Sequence, residues 1–431
     1  MNVDPLLTIS AIISGFFLFV YISAALSWHR GARKIPDDEL PGVSIVVPAY
    51  NEEGNIGDTI ESLLRLDYPK DRLEIIVVDD GSTDGTYAEA KRYEGPNVRV
   101  IRKENGGKSS ALNRGIREAK YEIVACMDAD SVATPGALRE LVYHLVGEDG
   151  DAATPVMHVW KPRNLVEKFQ WAEYILSNLF RRALDGLNAQ YVTPGPFSIF
   201  RRDAFERFGG FDEENITEDM EMAMRIQAAG GKVIHVPTAI VYTKVPRSIV
   251  ALIKQRVRWN LGFVDNAIAY RKRIRERGGD LGYFVMPAIW LGLAIMSLLT
   301  YKLVKDLLTQ TYVLVQSLLN GGIWAVIHPE SWSLNNIALN TAFAWASFNP
   351  IYYATLAFTV LTVLMIVYYA KQTGEDKIYW SGIVLFLLFY FVFMAVVWSI
   401  ILAVKIFGKE LRFGGVVWRN SIRNRLAGMS T

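Results

Sequence analysis

Cysteine is almost absent: Cys126 is the only one in 431 residues, which excludes an internal disulfide and leaves a small buried thiol in the strand-like run "YEIVACMDAD". Histidine is scarce as well, and the five (29, 144, 158, 235 and 328) lie far apart, with no zinc-type spacing to Cys126. An excess of one charge is also missing. The formal net charge of +2 argues against a nucleic-acid partner, because neutralising many phosphates takes a visible surplus of Lys and Arg. A fourth absence concerns "ENGGKSSALN" (Glu104 to Asn113), which reads like half of a phosphate-binding loop. A Walker loop needs glycine five residues before its Gly-Lys-Ser, where the backbone curls round two phosphates, and position 102 is Arg102. A P-loop ATP-driven transporter is therefore disfavoured, although Lys108 remains free to meet a phosphate of another kind.

What the chain has in quantity is apolar residues, 51% of the total. Residues 5–27 carry no charge and are long enough to cross a ~30 Å hydrocarbon core. Basic residues (Arg30, Arg33, Lys34) follow this run and none precedes it, so it reads as a membrane anchor with the amino terminus outside. Further apolar runs near 282–301, 307–327, 338–370 and 379–404 read as additional spans, the second doubtful because of Gln310, Gln316 and Asn320. The tail after 404 is basic and should stay inside, which favours five spans over four. The expected organisation is an anchor over 1–30, a cytoplasmic domain over 31–245, amphipathic interface helices over 246–280, three or four transmembrane helices over 281–404 and a basic tail over 405–431. Such a chain would sit multi-pass in the plasma membrane with the lipid bilayer as a partner.

Between residues 40 and 245, runs such as "VSIVVPAY", "LEIIVVDD", "VRVIRK", "EIVACMDAD" and "KVIHVPTAIVYT" alternate with helical stretches. Alternation of this kind predicts an α/β fold with a mostly parallel sheet, whose ligands gather at the carboxyl ends of the strands. Two amphipathic stretches, "NLVEKFQWAEYILSNLFRRALDGL" and "RSIVALIKQRVRWNLGFVDNAIAYRKRIRERGG", suit helices lying on the cytoplasmic leaflet; ordinary core packing is an equal reading of the first.

The candidate chemistry sits at those strand ends. Asp80 closes the second strand and could accept hydrogen bonds from a base or ribose, while the Tyr50 ring could stack. Asp128 and Asp130 have one residue, Ala129, between them, so an extended chain would point both carboxylates to one side, where Mg²⁺ or Mn²⁺ could be held. Thr217, Glu218 and Asp219 open a helix; N-cap and dipole preferences explain them, and the same dipole would keep Asp219 ionised as a base. Gln255 and Trp259, four apart, share a helix face with Arg258 adjacent: an indole offers a platform to a sugar ring and a guanidinium pairs with a diphosphate. A basic membrane-surface helix with an anchoring tryptophan would look the same.

Taken in order, "VVPAYNEE", "VVDDGS", "GGKSSALN", "DAD", "TED" and "QRVRW" resemble the membrane-bound family 2 glycosyltransferases, the group of cellulose, chitin, hyaluronan and poly-N-acetylglucosamine synthases. The resemblance spans about residues 41–260. It implies a GT-A fold, with Pro48, Tyr50, Glu52 and Asp80 around the nucleotide and Lys108 and Arg258 near the donor diphosphate. It further implies that Asp128, Ala129 and Asp130 hold the nucleotide-sugar, the metal being carried by Asp130 with Asp128. Asp219, with Glu218, would be catalytic, and Gln255, Trp259 and Thr217 would face the acceptor. The donor would be a UDP-sugar or GDP-mannose and the acceptor a polysaccharide or a lipid-linked molecule. Asp219 would deprotonate an acceptor hydroxyl that attacks from the face opposite the diphosphate, inverting the anomeric centre. Two prolines in "TPGPFSIFRR" depart from many relatives and leave the acceptor-side wall open. A single sugar transfer to lipid and a non-catalytic membrane scaffold are the competing readings.

Overall fold

A computed structural model describes residues 5–26, 34–326, 350–407, 411–413 and 416–418. The chain divides into two compact units, Met1–Val20 with Ala288–Leu364 and Tyr21–Pro287 with Met365–Thr431. In chain order the described elements are α1 (Pro5–Leu26), β1 (Val43–Ala49), α2 (Ile56–Leu64), β2 (Leu73–Asp79), α3 (Thr86–Lys91), β3 (Val98–Arg102), α4 (Lys108–Glu118), β4 (Ile123–Cys126) and β5 (Ser131–Ala133). Next come α5 (Ala137–Gly147), β6 (Ala152–Val159), α6 (Leu165–Gly186), β7 (Ser198–Arg201), α7 (Arg202–Phe208), α8 (Glu218–Ala228), β8 (Val233–Thr243) and α9 (Ile249–Arg277). Then follow α10 (Met286–Val326), α11 (Pro350–Gln372), α12 (Trp380–Phe407), β9 (Leu411–Phe413) and β10 (Val416–Trp418).

Strands β1 to β8 form one sheet in the order β3-β2-β1-β4-β7-β6-β8-β5. The pairs β1/β2, β2/β3, β1/β4 and β6/β8 are parallel; β7 runs antiparallel to β4 and β6, and β5 to β8. The sheet is thus mixed and mostly parallel. All seven residues of β1 are buried, because a sheet covered on both faces leaves no polar side to alternate with. Ile45 and Val47 pack on one face with Ile60 and Leu63 of α2 and Leu138 and Leu141 of α5. Val46, pointing the other way, packs with Leu112 of α4 and Met222 and Ile226 of α8. Every parallel strand therefore ends on the same edge, and the segments after β1, β2 and β4 meet there. Strands β5, β6 and β7 are absent from the sequence reading: "AATPVMHV" carries a proline, accommodated by a register shift between Pro155 and Val156, and β5 and β7 are only three and four residues long.

Helix α6 begins with a capping box, in which Asn164 accepts from the Glu167 amide and Glu167 reaches back to the Asn164 amide. Trp171 is fully buried against Tyr379, and Phe169 packs among Phe386, Tyr390 and Phe393 of α12, while Asn178 bonds the backbone of Met157 in β6. Core packing, the alternative to a leaflet-lying helix, is what α6 does. Helix α9 crosses the start of α8 at Gly262, where a Cβ would come within 2.1 Å of Thr217 Oγ1. Gly262→Ala is expected to push the two helices apart and destabilise the protein by about 1–3 kcal/mol, read as a lower melting midpoint; an unchanged midpoint would contradict this packing.

Among the described residues four helical segments are long and apolar enough to cross a membrane: Pro5–Leu26, Leu281–Gln316, Thr355–Gln372 and Trp380–Phe407. The runs expected separately at 282–301 and 307–327 belong to one helix, α10. The charged residues between them do not break it, since Lys302 and Asp306 form an i,i+4 ion pair at 3.2 Å and good helix formers fill the interval. The beginning of the 338–370 run and the basic residues Arg419, Arg423 and Arg425 lie outside the described residues.

Candidate active site

A cleft of about 260 Å³ opens where β1, β2 and β4 end, lined by Pro48, Ala49, Tyr50, Glu52, Asp80, Asn105, Gly107, Lys108, Ala111, Asp128, Ala129 and Asp130. Tyr50 is exposed at its mouth. Asp80 is buried, and its carboxylate is already engaged by the amides of Gly106 and Gly107 (2.7 Å for the latter) and by Lys103 Nζ at 2.6 Å. It therefore fastens the 103–107 loop to the floor of the cleft as well as lining it. That loop delivers Lys108 as the first residue of α4. Its ammonium lies 2.6 Å from Asp128 Oδ1 and 3.0 Å from Glu218 Oε1, and these carboxylates hold it protonated against the opposing effect of burial.

Residues 128–131 form a turn closed by the Ser131 amide on the Asp128 carbonyl (3.2 Å), not the extended chain expected from the spacing. The turn nevertheless points both aspartates into the cleft. Burial, then Asp128 and Glu52, push the Asp130 carboxyl up to about 7, and burial together with Asp128 raises Glu52. Carboxyls raised by burial and by a neighbouring negative charge call for a cation. Among the described residues no group of three or more His, Cys, Asp or Glu has metal-ligating geometry. The carboxylates of Asp128 and Asp130, both lining the cleft, are donors that fit two ligand positions of a hard divalent ion, whose other ligands would come from phosphate and water.

A second cavity of only about 10 Å³, room for one water, also touches Lys108 and Asp128 and is lined by Thr193, Pro194, Gly195, Glu218 and Asp219 together with the core residues Leu112, Cys126, Phe200 and Phe211. Here the "TPG" segment finds its place. The Gly195 carbonyl accepts from the Asp128 amide (3.2 Å), and a Cβ on Gly195 would come within 2.4 Å of the Asp128 carboxylate, so only glycine lets this wall approach. Thr193 donates from its amide and hydroxyl (2.7 Å) to the Asp219 carbonyl, which fixes the start of α8.

Thr217 occupies the N-cap position of α8, yet its hydroxyl makes no capping bond; it bonds to Asn215 Oδ1 and accepts from Asn266 of α9 at 3.1 Å. Glu218 and Asp219 diverge electrostatically. Burial would raise Glu218, but Lys108 and Arg258 outweigh it and hold the carboxyl below its ordinary range. Burial and then the Glu218 charge push Asp219 up to about 6, against Lys108 and Arg258. Burial, and then the neighbouring Glu218 anion, outweigh the helix dipole, yet at about 6 the Asp219 carboxyl is still ionised at neutral pH.

From α9, Arg258 reaches the Ile216 carbonyl at 2.9 Å, tying the "QRVRW" segment to the turn before α8. Gln255 and Trp259 line neither cavity. Two residues to which the sequence reading gave no role organise them. Arg256 is buried, donates from Nε (3.0 Å) and Nη2 to the Glu173 carboxylate of α6, and lies 4.3 Å from the centroid of the Trp259 ring. Glu173 could not be found from sequence, since it is 83 positions away in a helix of unknown facing.

A cleft at the switch edge of a mostly parallel sheet, with a paired-aspartate turn, is the architecture of a GT-A-like fold. Residues 44–209 match the family model described as glycosyl transferase family 2. The chain is 30% identical over 267 residues to a poly-beta-1,6-N-acetyl-D-glucosamine synthase of Staphylococcus aureus, covering 57% of this chain and 64% of the relative. The same comparison with the synthase of Staphylococcus epidermidis gives 31% over 235 residues, 53% of this chain and 56% of that one. The match thus spans about three-fifths of these relatives' length. In fold it is similar to a mannosyltransferase of Pyrobaculum calidifontis solved with GDP-Man and Mn2+ (TM-score 0.54, 24% identity, 86% of this chain and 99% of that one).

Proposed function

We propose that this protein is an inverting, divalent-cation-dependent glycosyltransferase that moves a sugar from a nucleotide-sugar to a growing β-linked polysaccharide and passes the product through its own membrane helices. The observation that carries the reading is the wall shared by the two cavities. Lys108 and Asp128 belong to both, so a donor in the larger cleft would present its anomeric carbon toward Asp219 at the smaller cavity.

On this reading Tyr50, Pro48 and Asp80 hold the nucleoside, and Lys108 swings from Asp128 and Glu218 to the diphosphate. Asp130 and Asp128 would hold a divalent cation, which when bound would neutralise charge growing on the leaving nucleoside diphosphate. Asp219, ionised above about pH 6, takes the proton of the acceptor hydroxyl as that oxygen attacks the anomeric carbon and the diphosphate leaves from the opposite face. Glu218 stays ionised as the partner of Lys108 and Arg258 and keeps both cations beside the reacting groups. Trp259, steadied by Arg256, offers its free ring face to the acceptor sugar.

The relatives support UDP-N-acetylglucosamine as donor and the fold neighbour supports GDP-mannose, so both enter the test with UDP-glucose. Purified full-length protein with Mg²⁺ or Mn²⁺ is expected to release nucleoside diphosphate from one of them and to build an oligosaccharide ladder. A chelator should abolish release, by about a hundredfold or more, and added Mg²⁺ or Mn²⁺ should restore it. A single glycolipid in place of a ladder would establish the runner-up, one transfer to a lipid acceptor. Failure with every donor would overturn the reading altogether.

A further inference from the structure

Helix α12 is the most apolar of the four segments long enough to cross a membrane, with no charged residue from Trp380 to Val404. Its packing denies it that role. Near its start, Gly382 lies so close to α6 that a Cβ would come within 2.1 Å of the Lys168 carbonyl oxygen. Phe386, Tyr390 and Phe393 surround Phe169 of the same helix. Tyr390 also stands within electrostatic reach of Arg256 of α9, and near the far end Lys405 is paired with Asp265 of α9. One face of α12, from Gly382 to Val404, is thus buried against α6 and α9.

Gly382 and Lys405 stand about 34 Å apart along the helix, more than the ~30 Å of a hydrocarbon core. In a spanning helix they would lie on opposite sides of the bilayer. Both are held by helices of one α/β domain: α6 is fastened to β6 through Asn178, and α9 to the turn before α8 through Arg258. A crossing α12 would draw the buried Glu173–Arg256 pair to the depth of the lipid tails, where ionised side chains are most costly, and carry Asp265 to the far side. Charge along the chain points the same way. Where α11 ends, Thr373 and Glu375 stand 3.1 and 2.9 Å from the ring nitrogens of the buried His158 of β6, so this end of α11 lies on the domain's side. Basic residues precede the domain (Arg30, Arg33, Lys34) and follow α12 (Lys409, Arg412, Arg419), which assigns domain and tail to one side. Only a helix that begins and ends on that side satisfies both.

We propose that α12 lies in the plane of the membrane, its inner face covered by α6 and α9 and its outer face embedded among the acyl chains of the leaflet on the domain's side. A lone interfacial helix shows a polar face to water. Here the α/β domain takes the place of that water, which is why α12 is apolar all round and imitates a span. Val384, Leu388, Phe391, Leu402 and Ile406 of the outer face are 38–66% exposed, a stripe far longer than the scattered apolar residues of a water-facing surface. The leaflet-facing place expected for α6 therefore belongs to the helix that covers it. The crossing helices are then α1, α10 and α11, an odd number, which keeps the basic tail inside when the amino terminus is outside. This placement goes beyond the proposed activity and holds whether or not sugar is transferred.

The test uses full-length protein in phosphatidylcholine–phosphatidylglycerol vesicles, with a fluorophore on Val384→Cys, Phe391→Cys or Leu402→Cys; the native Cys126 is buried and stays unlabelled. Lipids brominated near the headgroup or near the chain end report depth by quenching. The expected result is one shallow depth at all three positions, with quenching that agrees within about twofold. A deep reading at 391 between shallow ones at 384 and 402 is the mark of a span and would overturn the proposal. Absence of quenching by every lipid would overturn it too, since a second copy or another protein would then cover the stripe. In sealed membranes of one orientation, Ser421→Cys in the tail and Lys120→Cys on the domain are expected to react with an impermeant maleimide from the same face. Reaction from opposite faces would restore α12 as a crossing helix.

Discussion

Asp219→Asn is expected to lower kcat about a thousandfold while leaving donor affinity within about twofold, because a positioned general base contributes roughly 10²–10⁴ to rate and nothing to donor binding. Asparagine keeps the shape of the side chain and its acceptor for the Met220 amide at 2.8 Å, so the helix start should survive. Wild-type activity should itself decline as pH falls through about 6, where Asp219 takes up its proton, with a slope approaching tenfold per pH unit. The sign for stability is opposite. A carboxyl whose folded pKa is raised binds its proton more tightly in the native state, so its contribution to stability is present at low pH and lost as pH rises through about 6. Replacing it with a neutral amide should therefore leave the melting midpoint at pH 7 equal or higher, which separates lost chemistry from lost fold. Both are measured on one preparation, by nucleotide release across pH 4.5–8.5 and by a melting curve. A variant with a tenth or more of wild-type kcat would remove Asp219 from the role of base.

Much of this site could be read from the order of residues, and the reason is local. Strands β1, β2 and β4 are buried apolar runs that stop at small or acidic residues, so the positions of Tyr50, Asp80, Asp128 and Asp130 at one edge follow from strand ends alone. The acidic start of α8 was legible for the same reason. What stayed hidden depends on which helix faces meet. Nothing in "RNLVEKFQWAEY" says that Glu173 turns toward α9, and nothing near Gly195 in sequence says that it lies against Asp128. Even local expectations failed where tertiary contacts competed. The Thr217 hydroxyl left its capping role for Asn215 and Asn266, and the Asp128–Asp130 segment turned because Gly195 and Ser131 supply its backbone partners. In the first unit the charged interval 302–306 looked like a boundary and is helix throughout, since composition alone does not distinguish a loop from a salt-bridged helical turn.

Breaking the Glu173–Arg256 pair should have the largest effect on stability. Glu173→Gln leaves a guanidinium that is 3% exposed facing an amide, and stranding one member of a buried pair costs about 3–5 kcal/mol, whereas the pair as a whole is worth little over an apolar replacement. The double substitution Glu173→Leu with Arg256→Met should accordingly recover most of the melting midpoint lost in Glu173→Gln. Transfer should not recover with it. Arg256 also covers the ring of Trp259 at 4.3 Å, and a flexible methionine restores volume without the planar cation that fixes the indole. The expected signature of the double variant is near-native melting, unchanged donor hydrolysis, and an acceptor kcat/KM reduced about tenfold or more, the size of a lost cation–π contact in a desolvated setting. Stability and acceptor use would then separate at one ion pair. If the double variant instead transfers sugar as wild type does, the pair serves folding alone and Trp259 finds its orientation without it.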